Sequence, residues 1–306
     1  MAGEMIVGLD GSEKEARALP VAAALAAVAD SSVHLVRVIR APSDRIAAQA
    51  ELLGVDHAAM TDRPEAERRV LEQARRLQAE IGREVTWNVV DGVDIAETLI
   101  RYVSSRDALG IVLGTRAASA TGLALVGSVA DRVMRECPRP VVLVPPGASY
   151  LRGKQVEIGR VLVPLDGSTL ALRSLDYLLA LPNATRVEYV LLEVVPARGG
   201  EQRQTVRVAA AEDRLQIAAA HTRARGVAAV EAQVLDGDDA AKTIAAAVRE
   251  CLVELIAMST RGTGGLKRFV LGSVAEGVVR SAEVPVLLLT PAMLARSDIP
   301  AADHMR

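Results

Sequence analysis

The sequence predicts an α/β chain of two tandem, doubly wound parallel-sheet domains. Short apolar stretches such as Val141 to Val144 and Leu255 to Met258 alternate with longer segments of helical period. That is the pattern of strands buried on both faces between helices. The order of these segments runs once to about residue 147 and begins again at Val161. The 306 residues, half of them hydrophobic, exceed what one average domain requires.

Met5 to Leu9 reads as the first strand, closed by Asp10-Gly11-Ser12. A helix from Glu13 to Ala29 follows, with Ser12 and Glu15 spaced as a capping box and Pro20 expected to kink or weaken one turn. Val33 to Ile39 is a second strand, and residues 41–60 lack clear periodicity. From Asp62 to Ile81, Val70, Ala74, Leu77 and Ile81 fall on one helical face. A strand at Val85 to Val90, a helix from Asp94 to Ser104 and a strand at Ile111 to Leu113 come next. A loop, a helix from Gly127 to Glu136 and the strand Val141 to Val144 complete the unit. These signals give a first domain at 1–147, a polar linker at 148–158, a second domain at 159–291 and a loosely held tail at 292–306.

The second unit repeats the first. Val161 to Leu165 leads into Asp166-Gly167-Ser168, then a helix from Thr169 to Leu181, a strand at Val187 to Val195 and a helix from Thr205 to Arg225. Asp10 and Asp166 are 156 residues apart, whereas Asp91-Gly92 and Asp236-Gly237, Gly127-Ser128 and Gly272-Ser273, and Pro140 and Pro285 are each 145 apart. The first unit therefore carries about 11 extra residues, most simply in 41–60.

Composition excludes several classes of function. A net charge of −2 with interspersed signs gives no electrostatic case for nucleic acid. Cys137 and Cys251 form no C-x-x-C and read as small buried apolar residues. The longest apolar run, Val21 to Ala29, is nine residues, too short to span a bilayer, and no signal peptide is visible. A soluble cytoplasmic protein is expected.

The richest stretch is Leu255 to Val279. A short apolar strand is followed by a loop with Gly262, Gly264 and Gly265, then by Gly272-Ser273 at a helix start. Ser273 and Glu276 have the spacing of a capping box. A strand, a glycine loop and a helix N-terminus together offer backbone N–H groups and a positive dipole end to a phosphate. The same residues also serve a simple chain reversal, and Asp-Gly is a common turn.

Each half resembles a universal stress protein domain, and the resemblance covers nearly the whole chain. The family's nucleotide motif is Gly, two residues, Gly, nine residues, Gly, then Ser or Thr. The second half matches with Ser259, Gly262 and Gly272-Ser273, Ser replacing the first Gly; the first matches with Gly114, Ala117 and Gly127-Ser128, Ala replacing the middle Gly. The resemblance implies an adenine nucleotide alpha-hydrolase-like sheet in the order 3-2-1-4-5. Its implied ligand is ATP, with or without Mg2+, or another adenine nucleotide. Carried over, Pro164, Asp166 and Val194 would flank the nucleoside, Met258, Ser259 and Gly262 the loop, and Gly272, Ser273 and Val274 the phosphates. The first-half equivalents are Asp10, Val38, Gly114, Ala117, Gly127, Ser128 and Val129. The resemblance also implies that the last strands of the two halves pair within the chain, and leaves a homodimer open.

The halves are not expected to bind equally. A Cβ at Ala117 penalises φ > 0 and stands in the path of a phosphate. Lys267 and Arg268 of the second loop match Gly122 and Leu123, which have no charge to offer. Three functions follow: an ATP-binding regulatory module of the stress response, an interaction scaffold with empty sites, and a slow ATP hydrolase or phosphotransferase. There is no G-x-x-x-x-G-K-[ST], and His34, His57, His221 and His304 are scattered. No catalytic residue and no protein-only metal site is assigned, so at most a weak ATPase side activity is expected.

Overall fold

The computed structural model describes residues 3–12, 17–41, 52, 62–117, 124–146, 148, 157–198, 200–260, 271–290 and 293. In the first half, strands β1 (Glu4–Leu9), β2 (Ser32–Arg40), β3 (Val85–Gly92), β4 (Ala108–Gly114), β5 (Arg116–Ala117), β6 (Ala124–Leu125) and β7 (Val141–Val144) alternate with helices. These are α1 (Ala18–Val28), α2 (Arg63–Ile81), α3 (Ile95–Ser104) and α4 (Ser128–Glu136). The second half has β8 (Arg160–Leu165), β9 (Glu188–Val195), β10 (Val230–Asp236), β11 (Leu255–Ser259) and β12 (Val286–Leu289), with α5 (Thr169–Leu179), α6 (Glu201–Ala224), α7 (Ala240–Glu250) and α8 (Ser273–Ser281).

Five strands of each half order as 3-2-1-4-5, and these ten form one sheet, β10-β9-β8-β11-β12-β7-β4-β1-β2-β3, with β5 and β6 forming a separate two-stranded ribbon. Within the ten-stranded sheet, pairing inside each half is parallel. The halves meet where β12 runs antiparallel to β7, Val286 opposite Leu143 and Leu288 opposite Val141. That pairing gives each apolar edge strand a partner and removes two open edges. On the other side of the joint, Tyr177 donates its hydroxyl to Leu109 O at 2.9 Å, and Asn183 Nδ2 donates to Ala27 O at 2.9 Å.

Both faces of the sheet are covered, which is why the strands read as continuous apolar runs. Residues of α1, α2, α5 and α6 bury one face, and residues of α3, α4, α7 and α8 the other. Each of these two clusters draws side chains from both halves. With only one Phe and one Trp, these layers are filled by Ala, Val, Leu and Ile. Cys137 and Cys251 are buried and unbridged, as small apolar residues would be, and burial pushes the Cys137 thiol up to about 11. No helix among the described residues is long and apolar enough to cross a membrane.

Two local expectations are corrected. Helix α1 begins at Ala18, with Arg17 as an N-cap that makes no side-chain capping bond. Among the described residues Pro20 lies in the first turn of α1, where proline is tolerated. Glu15, most of 41–60 and most of the tail lie outside the described residues. The tail does begin packed: Met293 is buried and its N–H reaches Thr290 O at 3.1 Å.

The repeated Asp-Gly at the ends of β3 and β10 has a steric basis. A Cβ on Gly92 would stand 2.2 Å from Thr98 Oγ1, and one on Gly237 would stand 2.1 Å from Thr243 Oγ1. Asp94 and Asp239 cap the helices that bring these threonines in, accepting from Glu97 N at 2.9 Å and Lys242 N at 3.2 Å. Thr98 is itself buried. Gly92→Ala should therefore cost about 1–3 kcal/mol, with part recovered in the Gly92→Ala/Thr98→Ala double variant. Urea denaturation of the three variants measures this, and a neutral single variant would contradict the close approach.

Candidate functional site

In each half the strand order reverses at the first strand: β1 lies between β2 and β4, and β8 between β9 and β11. Ligands of open α/β sheets bind beyond the carboxyl ends of strands at such a point. Asp10 and Asp166 stand there, both exposed. Asp10 Oδ1 accepts Ser12 N at 2.9 Å and Asp166 Oδ1 accepts Ser168 N at 3.0 Å. The glycines between them sit at φ +83 and +76, conformations an L side chain resists. The Asp-Gly-Ser segments are thus hydrogen-bonded turns, whatever else the carboxylates do. Ser168 goes on to cap α5, its Oγ accepting Ala171 N at 3.1 Å.

The glycine loop of the second half is anchored at both ends. Thr260 N donates to Leu289 O at 3.0 Å, and Gly272 N donates to Thr260 O at 2.8 Å. The expected capping box is absent: Gly272, not Ser273, is the N-cap of α8, and no side-chain capping bond forms. Ser273 is the first helical residue, exposed beside Val274. The first half repeats this, with Gly127 as N-cap of α4 and Ser128 exposed behind it. Gly127 and Gly272 have φ −65 and −67, angles open to any residue. Their backbone conformation therefore does not explain why both are glycine. Helix geometry leaves the N–H groups of Ser273, Val274 and Ala275 without an intrahelical acceptor.

The first-half loop begins and ends in described residues. Ala117 pairs with Ala124, and Arg116 with Leu125, in a small antiparallel ribbon, β5 with β6. Ala117 is thus extended, so the anticipated φ > 0 penalty does not arise. Gly262, Lys267, Arg268, Gly122 and Leu123 lie outside the described residues.

Strand alternation sorts the remaining candidates. Val194 and Met258 belong to the face covered by α7 and α8, and Pro164, two residues after Leu162, shares it. Continuing the register of Ile256 opposite Leu162 sets Met258 level with Pro164, and Leu165 opposite Glu193 sets Asp166 level with Val194. Ser259 is buried at the end of β11 and alternates to the opposite face. In the first half, Val38 is buried level with Asp10, and exposed Gly114 ends β4 beside Val144. Val129 is half-buried in the first turn of α4. The Asp turn, the Pro-Val-Met face and the glycine-capped helix thus come from different strands to one end of the sheet.

The sequence reading passed over charged residues beneath the Asp-Gly-Ser turns. Arg214 of α6 lies against Gly167, where a Cβ would be 3.2 Å from its Cδ, and donates Nε to the buried Glu193 at 3.1 Å. That carboxylate raises the Arg214 guanidinium above its usual range. An acid in the apolar run that follows Tyr189 in β9 was the available signal. Among the described residues, no three His, Cys, Asp or Glu side chains gather as a metal site.

The profile of the universal stress protein family matches residues 1–145 and 157–290. A universal stress protein of Mycolicibacterium smegmatis is 46% identical over 55 residues, 18% of this chain and 42% of that relative. Among solved structures, a universal stress protein from Archaeoglobus fulgidus superposes with TM-score 0.70 at 24% identity, covering 95% of this chain and 99% of that one. A putative universal stress protein from Pseudomonas aeruginosa gives TM-score 0.60 at 18% identity, covering 95% and 94%.

Proposed function

Because the chain belongs to the universal stress protein family, with one match in each half, we propose that it is an adenine-nucleotide-binding regulatory module of a stress response. The favoured ligand is ATP, with or without Mg2+, held at the carboxyl ends of β8 and β11. The observation that supports this most is the pair of glycine N-caps whose φ angles do not require glycine. What the missing Cβ then supplies is room at a helix N-terminus, where backbone N–H groups and the dipole favour an anion.

Pro164 and Asp166 are assigned to the nucleoside end with Val194 beside the adenine, Met258, Ser259 and Gly262 to the loop, and Gly272, Ser273 and Val274 to the phosphates. The second half is the preferred site, since the first carries Ala117 where the second has Gly262. The weaker set is Asp10, Val38, Gly114, Ala117, Gly127, Ser128 and Val129. We read the protein as a cytoplasmic binding module rather than an enzyme, with 1–147 and 159–291 as its domains and the β7–β12 pairing as their internal dimer contact.

The test is to denature freshly purified protein and quantify released nucleotide by chromatography. About one adenine nucleotide per chain is expected, lost at least tenfold in Gly272→Val and retained in Gly127→Val. Recovery of none, together with no thermal shift on adding Mg-ATP, would sink the reading and leave an interaction scaffold. Phosphate release at enzymatic turnover would move it to the hydrolases.

A further inference from the structure

One pair of equivalent positions differs in charge between the halves. Arg37 and Glu193 are 156 residues apart, and Arg69 and Arg214 are 145 apart, the two offsets of the repeat. Register agrees, since Arg37 stands opposite Leu9 as Glu193 stands opposite Leu165. In the second half the buried Glu193 carboxylate receives both Nε and Nη2 of Arg214. The first half keeps the helix arginine but replaces the carboxylate with a second guanidinium.

That guanidinium sits over the Asp10 turn: a Cβ on Gly11 would lie 2.6 Å from Arg37 Nη2. Arg37 is half-buried and forms no ion pair among the described residues, while Arg69 pairs along its own helix with Glu65 at 2.5 Å. The two arginines line a pocket of about 200 Å3 with Gly11, Ser12, Glu72 and Gln73. Glu72 makes no salt bridge to either arginine. Two like charges of separate elements face one half-enclosed space where the repeat elsewhere holds Arg against Glu.

We propose that this pocket binds a small oxyanion of the phosphate class, which takes the place of the Glu193 carboxylate. Planar guanidiniums bind such groups through paired N–H donors. The pocket lies on the other sheet face from the glycine-capped helix α4: Arg37 alternates to the face opposite Val38, whose cluster contains residues of α3 and α4. The inference does not depend on nucleotide binding.

The experiment is thermal denaturation of the full chain in inorganic phosphate against sodium chloride at matched ionic strength. A rise on the order of 2–4 °C is expected at ten times the dissociation constant. Arg37→Glu, which restores the pairing of the second half with Arg69, should abolish the response and raise the phosphate-free midpoint. Arg37→Ala should abolish the response alone, and far-UV circular dichroism confirms that each variant folds. No response in the unaltered protein, or one that survives Arg37→Glu, overturns the proposal. A response lost in Gly272→Val but kept in Arg37→Glu assigns phosphate to the glycine loop instead, so overturning this site while leaving the nucleotide reading standing. Failure to recover nucleotide leaves the phosphate result unaffected.

Discussion

Leu288→Asp is expected to destabilise both halves together, by about 4 kcal/mol or more. Leu288 is 0% exposed, lies opposite Val141 across the antiparallel joint, and packs in a cluster with residues of both halves. A carboxylate there either stays charged without water or takes up a proton, and both cost free energy. The single tryptophan makes the consequence readable at a distance. Trp87 lies in β3, the outermost strand of the half that does not contain Leu288. If the ten strands fold as one unit, Trp87 fluorescence and far-UV circular dichroism will give coincident urea transitions, both moved to lower urea by the substitution. A Trp87 transition left in place while the circular dichroism curve splits would mean that the halves unfold independently. The ties of Tyr177 to Leu109 and of Asn183 to Ala27 add to the coupling expected from the joint.

Much of this architecture could be read in advance because the strands carry their own signature. Val141 to Val144 and Val286 to Leu289 were predicted with the bounds observed, since an apolar run flanked by Pro has few other readings. The strand order came from the family resemblance, not from periodicity, which carries no information on neighbours. What the sequence misplaced were helix starts. Ser273 with Glu276 has the spacing of a capping box, yet the chain enters α8 one residue earlier, through Gly272. A spacing rule does not distinguish an N-cap serine from a first-turn serine, because that choice is set by how the preceding loop closes on Thr260. The same limit hid Arg37. On its own it reads as a polar interruption of a strand, and it acquires meaning only when Glu193 and Arg214 show what the equivalent space holds.

The stability of the fold should also fall as pH drops from about 6.5 towards 4, through one buried histidine. His34 is 3% exposed in β2, its Nδ1 2.6 Å from Thr86 Oγ1 and its Nε2 2.8 Å from Tyr102 Oη. Asn88 Nδ2 and Arg106 Nη1 both donate to that tyrosine oxygen at 3.3 Å. Tyr102 therefore gives its own proton to His34 Nε2, and Nδ1–H is left to donate to Thr86. A second ring proton would face an oxygen that already receives two donors. Burial, then the Arg106 charge, lower the His34 pKa to about 4, with Glu4 opposing from 3.8 Å. The unfolded imidazole titrates at about 6.5, so between these values the unfolded chain binds more protons. The penalty is absent above pH 6.5 and grows as pH falls, reaching about 2 kcal/mol by pH 5. Comparing unfolding free energies at pH 7.5 and 5 for the unaltered chain and for His34→Gln isolates it, because every other group is common to both. The unaltered protein should lose about 2 kcal/mol more than the variant over that interval. Equal losses would show that His34 takes up its proton in the folded state as readily as in water.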